Sequence, residues 1–126
     1  MKGLHFSIGK TAILAALSLC FFTFEAKSQD ETKTVSGEVL DMACYMAKGA
    51  HGEKHKSCAA SCIKDGAPMG LLTSDGKVYL LVENHNKKEV YAKIKDHASE
   101  KITDSGTASV KGGLQGLVVD ELKEKS

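Results

Sequence analysis

Alternating apolar and polar residues predict five short β-strands in this chain, interrupted by two stretches of helical character. Successive side chains of a strand point to opposite faces of a sheet, so such alternation indicates strands with one buried face. The strands are expected at residues 34–40, 69–73, 77–82, 102–111 and 114–121. Turn-forming residues lie between the second and third strands and between the fourth and fifth, which predicts two hairpins.

The two helical stretches complete the fold prediction. Residues 53–65 are rich in Lys, Ala and Glu, with Gly66 as a helix-ending residue and Pro68 just beyond it. A shorter helix is expected at residues 86–98. The order strand, helical insertion, hairpin, short helix, hairpin is typical of an OB-type barrel. We therefore predict a mainly β fold: a small five-stranded OB-like barrel. A helical Cys/His insertion would follow strand 1, and a short helix would lie between strands 3 and 4. A five-stranded sandwich would give the same sequence pattern.

Residues 1–28 have the features of a secretory signal peptide. Two lysines lead into an apolar run at residues 11–24, and Ala-Lys-Ser at residues 26–28 offers small side chains where a signal peptidase cleaves. The run is too short for a typical membrane span. Residues 29–126 are therefore expected to form one small β-rich domain, periplasmic or secreted, with no stable membrane span.

The charge of this mature segment argues against nucleic-acid binding. Removing residues 1–28 takes away three of the 17 basic and one of the 16 acidic residues, which leaves 14 against 15 and a formal charge of −1. A nucleic-acid-binding domain would carry a basic stripe, whereas these lysines are scattered among acidic residues.

Three cysteines and a histidine carry the candidate chemistry. Cys44, His55, Cys58 and Cys62 fall within nineteen residues, and the last three are spaced i, i+3, i+7. That spacing places them on one stripe of a helix, facing whatever Cys44 approaches. Cys3His is a recognised tetrahedral ligand set for zinc. We therefore predict that the domain binds one transition-metal ion through these four side chains.

Copper is the alternative ion, because thiolates and thioethers select Cu(I) and methionines flank the cluster. The spacing Cys58-x3-Cys62 resembles the copper-binding loops of the dinuclear copper centre of oxidases and of Sco-type copper chaperones. Met69 stands at the offset where the dinuclear centre has its methionine, but Gly66 replaces its histidine, and Ile63 replaces the proline of Sco-type proteins. Met69 is thus a further candidate ligand. His51 is another, because it continues the helical stripe one turn before His55.

A longer string resembles a group of small exported bacterial proteins of unassigned function. It consists of Asp41-x2-Cys44-Tyr45, His55-x2-Cys58-Ala59-x2-Cys62 and Gly66-x-Pro68-x-Gly70. The resemblance covers roughly the first half of the mature segment. It implies a recurring design and no particular activity.

Two other functions remain open for the same cysteines. The chain could be a thiol-disulfide redox protein that uses Cys44, Cys58 and Cys62, or a partner-binding OB-type module whose loop is stapled by a disulfide. Helical residues four apart have Cβ atoms about 5–6 Å apart, more than the roughly 3.5–4.5 Å of a disulfide, so Cys44 is the better partner for either of the others. The thiols could also simply be buried small side chains.

No catalytic motif is recognisable, so the chain is not expected to be an enzyme. The metal ion could have a structural role or be carried for delivery. In the second case another exported protein is a candidate partner.

Overall fold

The structure of the protein, a computed structural model, describes Gly3 and residues 30–123. The predicted signal peptide, residues 1–28, lies outside the described residues except for Gly3. All the elements below fall within residues 30–123.

Five strands form a closed barrel. They are β1 (Glu31–Asp41), β2 (Met69–Leu72), β3 (Val78–Val82), β4 (Lys101–Lys111) and β5 (Leu114–Lys123). Their order around the barrel is β1-β2-β3-β5-β4, and β4 pairs back onto β1. All neighbouring pairs are antiparallel except β3 and β5, which run parallel. This closure confirms the predicted small OB-like barrel and excludes the open sandwich.

Helices occupy two of the connections between strands. The connection from β1 to β2 contains α1 (Met42–Lys48), a 3₁₀ turn (Glu53–His55) and α2 (Lys56–Lys64). The connection from β3 to β4 contains α3 (Lys88–Ile94) and a second 3₁₀ turn (Lys95–His97). The predicted insertion after strand 1 and the predicted short helix between strands 3 and 4 are thus confirmed. α1 is not among the predicted elements.

Local signals explain why α1 forms. Asp41 precedes the helix with an extended backbone, and its side chain accepts hydrogen bonds from the N–H groups of the first turn, as a typical N-cap does. Gly49 ends the helix in the left-handed conformation, with φ at 66°, which a glycine adopts without strain. None of the seven helical residues is buried. An apolar periodicity therefore could not reveal this helix.

The apolar core lies inside the barrel and under α2 and α3. Fifteen buried apolar residues form it: Val35, Val39, Ala59, Ile63, Met69, Leu71, Tyr79, Leu81, Val90, Ile94, Ala98, Ile102, Ala108, Leu117 and Val119. Only two of them, Ala59 and Ile63, come from the insertion between β1 and β2. The core therefore depends little on the conformation of the rest of that insertion.

Candidate metal centre

The end of β1 and the two helices of the insertion bring the Cys/His residues together. Asp41 Oδ1 accepts a hydrogen bond from the N–H of Ala43 at 2.9 Å and from that of Cys44 at 3.4 Å, which holds Cys44 on the first turn of α1. The 3₁₀ turn ends at His55, and Cys58 follows on the adjoining first turn of α2. Burial of Ala59 and Ile63 orients α2 against the barrel.

Further contacts anchor the insertion to the barrel. The N–H of Met42 donates to the carbonyl of Pro68 at 3.0 Å. The N–H of Gly52 donates to the Glu38 carboxylate on β1. The Lys56 ammonium contacts the Glu100 carboxylate at 2.9 Å. The loop between α1 and α2 is therefore held against β1 rather than extending away from it.

The donor atoms form two overlapping groups of three. The first group is Cys44, His55 and Cys58, and the second is Asp41, Cys44 and Cys62; within each group the donor atoms all lie within 4.8 Å of one another. Cys44 belongs to both groups. The four side chains of the predicted Cys3His set thus lie in one cluster that could hold a metal ion, together with a carboxylate to which the sequence analysis assigns no role.

Two buried polar atoms in this cluster lack hydrogen-bond partners among the described residues. They are Asp41 Oδ2 and His55 Nε2, which lie 3.8 Å apart. That distance is too long for a hydrogen bond. Buried polar atoms are nearly always paired in native structures, so an unpaired oxygen and an unpaired nitrogen beside two thiols are unusual.

The carboxylate dominates the electrostatics of the neighbouring thiols. The hydrogen bond to the Asp41 carboxylate, burial and the charge of that carboxylate together raise the pKa of the Cys62 thiol to about 12. A hydrogen bond to the same carboxylate, followed by burial, also raises the pKa of Cys44. Burial tends to raise the pKa of Asp41 itself, but hydrogen bonds from Cys44 and Ala43 lower it overall. Without a cation, Cys44 and Cys62 are therefore neutral thiols beside a carboxylate, and a bound cation would have to displace their protons.

The cluster reaches the surface on one side. Cys58 is exposed, Cys44 and Cys62 are half-buried, and all three thiols are free. The His55 side chain is 16% exposed, whereas that of Asp41 is completely buried. An ion could thus enter past Cys58, with Asp41 at the closed end of the site.

The two further candidate ligands lie in different surroundings. The His51 side chain is half-exposed, and its Nδ1 lies 3.4 Å from Oε2 of Glu38. Its ring packs edge-on against that of Tyr45, and it belongs to neither group of three. Met69 is fully buried in the apolar core and pairs with Asp41 across β1 and β2.

Asp41 is the residue that the sequence analysis missed. It occurs in the string that resembles small exported proteins, three residues before Cys44, but an acidic residue at a strand end has no distinctive pattern. The available signal was its position directly before α1, where aspartate is a favoured N-cap. Recognising that short helix would have placed the carboxylate beside Cys44.

No family model matches the sequence, and comparisons with curated proteins and with solved structures give no significant match. Among the helices of the described chain, none has the length and apolar character needed to cross a membrane. The geometry and chemistry of the cluster are therefore the basis for a functional conclusion.

Proposed function

We propose that this chain is a small exported protein that binds one transition-metal ion, zinc or copper, through Cys44, His55, Cys58 and Cys62. The observation that carries the proposal is the convergence of three thiols and an imidazole in two groups of donor atoms that share the Cys44 sulfur. Sulfur and imidazole nitrogen are the donors that borderline and soft metal ions prefer. Export rests on the signal-like residues 1–28 and would place the protein in the periplasm or outside the cell.

The distribution of the core bears on what the ion does. Only two of the fifteen buried core residues belong to the insertion that holds the cluster. An ion bound there would fix α1 and α2 against the end of β1 without being needed for the barrel. One side of the cluster is open at Cys58, which is exposed. These features favour an ion that is bound and released by a stable barrel over an ion that is required for folding.

The principal alternative is a thiol-disulfide redox function. One observation favours it: the Cys44 sulfur lies within 4.8 Å of those of both Cys58 and Cys62, so either could form a bridge with it if the two sulfurs moved to the disulfide bond length of about 2.05 Å. Reactive thiols, however, usually have a lowered pKa and occur in a Cys-x-x-Cys motif, whereas Cys58 and Cys62 are separated by three residues. Here Asp41 acts in the opposite direction on Cys44 and Cys62. A sealed bridge would instead indicate a partner-binding module with a stapled loop.

Metal analysis with matched variants tests the proposal. The exported protein, purified without chelator, should contain close to one equivalent of zinc or copper. Cys44→Ser should abolish binding, because this thiol belongs to both groups of donors, whereas Ser57→Ala, an exposed change beside Cys58, should leave it intact. Equal metal content in the two variants would contradict the proposal. An ion-free protein that reduces a test disulfide would favour the redox alternative.

A further inference from the structure

The Asp41 carboxylate is oriented toward the cluster and is not used up by its structural role. Its Oδ1 accepts the hydrogen bonds that cap α1, at 2.9 Å from the N–H of Ala43 and 3.4 Å from that of Cys44. Its Oδ2 is buried and has no hydrogen-bond partner among residues 30–123. One oxygen is thus sufficient for the helix cap, and the second is left for another partner.

The surroundings of Oδ2 consist of metal-binding atoms. His55 Nε2 lies 3.8 Å away and is itself unpartnered. An oxygen of this carboxylate also lies within 4.8 Å of the sulfurs of Cys44 and Cys62. Among the described residues, no lysine forms an ion pair with the Asp41 carboxylate. The only basic side chain within ion-pair distance of it there is that of His55. A buried carboxylate needs a cation or a set of hydrogen bonds to be stable.

A single metal ion beside the Cys44 sulfur, which both groups of donors share, could draw its ligands from these atoms. It would accept electron pairs from the carboxylate oxygen, the imidazole nitrogen and the thiolate sulfurs. It would thereby pair the Oδ2 and Nε2 atoms, which are too far apart to hydrogen-bond to each other, and would replace the thiol protons that face the carboxylate. We propose that Asp41 is a direct ligand of the ion, which makes the site a mixed oxygen, nitrogen and sulfur site; this inference rests on the proposed metal-binding function.

The mixed donor set determines which class of ion fits. Cu(I) selects thiolate and thioether donors and gains little from a carboxylate, whereas Zn²⁺ binds Asp, His and Cys side chains alike. Adding an anionic oxygen also favours a dication over a monocation, because the site then carries one more negative charge. The ion is therefore a borderline divalent ion of the zinc type, and Cu(I) is the weaker ligand match.

Asp41→Asn tests this role with little disturbance of the fold. Asparagine is as good an N-cap as aspartate, so the amide oxygen can keep capping α1 while the anionic oxygen is lost. Asp104→Asn is the matched control, because Asp104 is an equally buried carboxyl that lies on β4, outside the cluster. Both variants would be compared with the wild type for Zn²⁺ affinity, by competition with a chromophoric chelator, and for Cu(I) affinity.

We expect Asp41→Asn to weaken Zn²⁺ binding by more than the roughly 10- to 100-fold that is typical when an outer-sphere partner of a ligand is removed. The Cu(I) affinity should change much less, and Asp104→Asn should bind both ions as the wild type does. The Co²⁺-loaded wild type and Asp41→Asn should also differ in their ligand-field absorption bands, because the oxygen donor changes. If Asp41→Asn does not fold, Asp41→Ser keeps the cap and removes the carboxylate in the same way.

Three results would overturn the inference. Unchanged Zn²⁺ affinity and Co²⁺ bands in Asp41→Asn would show that the carboxylate is not a ligand, while the proposed metal binding would stand. A loss within the outer-sphere range, with unchanged Co²⁺ bands, would make Asp41 a residue that only positions His55. A wild-type protein that binds neither ion would contradict the proposed function itself.

Discussion

Asp104 should make the stability of the barrel depend on pH. It lies on β4 at an inward position, is completely buried, and neither of its oxygens makes a hydrogen bond of normal geometry among the described residues. Burial raises its pKa to about 7 from an ordinary value of 3.8, and the N–H groups of Ser105 and Glu121 offset this only partly. The charges of Asp120 and Glu121 add to the shift.

The sign follows from proton binding in the two states. Between pH 4 and pH 7 the folded protein keeps the proton of Asp104 and the unfolded chain releases it, so the free energy of unfolding falls as the pH rises through this range. A shift of about three pKa units is equivalent to roughly 4 kcal/mol, and partial entry of water would reduce it, so we expect a loss of about 2–4 kcal/mol. For a domain of this size, that lowers the Tm by roughly 10 °C or more.

Asp104→Asn isolates this contribution from those of other titrating groups. Urea unfolding would be measured for both proteins at pH 4.5 and pH 8, in chelator, so that metal binding does not contribute. The variant should be more stable than the wild type by about 2–4 kcal/mol at pH 8 and nearly equal to it at pH 4.5, where the wild-type carboxyl is protonated. A stability difference that is the same at both pH values would refute the reasoning, because Asp104 would then not titrate within the barrel.

Three further predictions concern the insertion and the barrel. Chelator should increase amide hydrogen exchange in residues 42–64 and leave the β4–β5 hairpin protected, because the core contains only two residues of the insertion; global unfolding on chelation would contradict this. Affinity for the ion should rise with pH between 6 and 8, because neutral thiols must ionise to bind, with release of roughly two to three protons per ion. Calorimetry in buffers of different ionisation enthalpy counts these protons. An affinity that does not depend on pH would exclude thiolate ligands. Gly37→Ala should destabilise the barrel by about 1–3 kcal/mol, because the added Cβ would lie 2.5 Å from the carbonyl oxygen of Leu72. Gly116→Ala is the control and should reduce the free energy of unfolding by less, because the nearest atom to its Cβ is 3.6 Å away. Equal effects in urea unfolding would count against this explanation.

The barrel could be predicted because its strands follow simple alternation. β4 alternates strictly, with Ile102, Asp104, Gly106 and Ala108 facing inward. Alternation assigns each position to a face of the sheet, but inward positions are normally filled by apolar residues. Burial of the acidic Asp104 at such a position was therefore not predicted. The parallel pairing of β3 with β5 joins distant segments, and local sequence contains no signal for it.

The clustering of the three cysteines with His55 was predicted from the sequence, but the Asp41 carboxylate beside them was not. The i, i+3, i+7 spacing of His55, Cys58 and Cys62 is a local property of one helix and its preceding 3₁₀ turn. The sequence alone could therefore predict that these side chains lie on one face. The contribution of Asp41 depends on α1, a helix of seven residues with no buried side chain. Its carboxylate reaches the cluster only because the chain folds back after α1 and brings α2 to the end of β1.

Elemental analysis of the purified protein, combined with a thiol count and mass spectrometry of the intact chain, tests metal binding most directly. The account predicts close to one equivalent of a transition-metal ion, three cysteines that react only after the ion is removed, and no disulfide. A well-folded, ion-free protein in which Cys44 is bridged to Cys58 or Cys62 would contradict it.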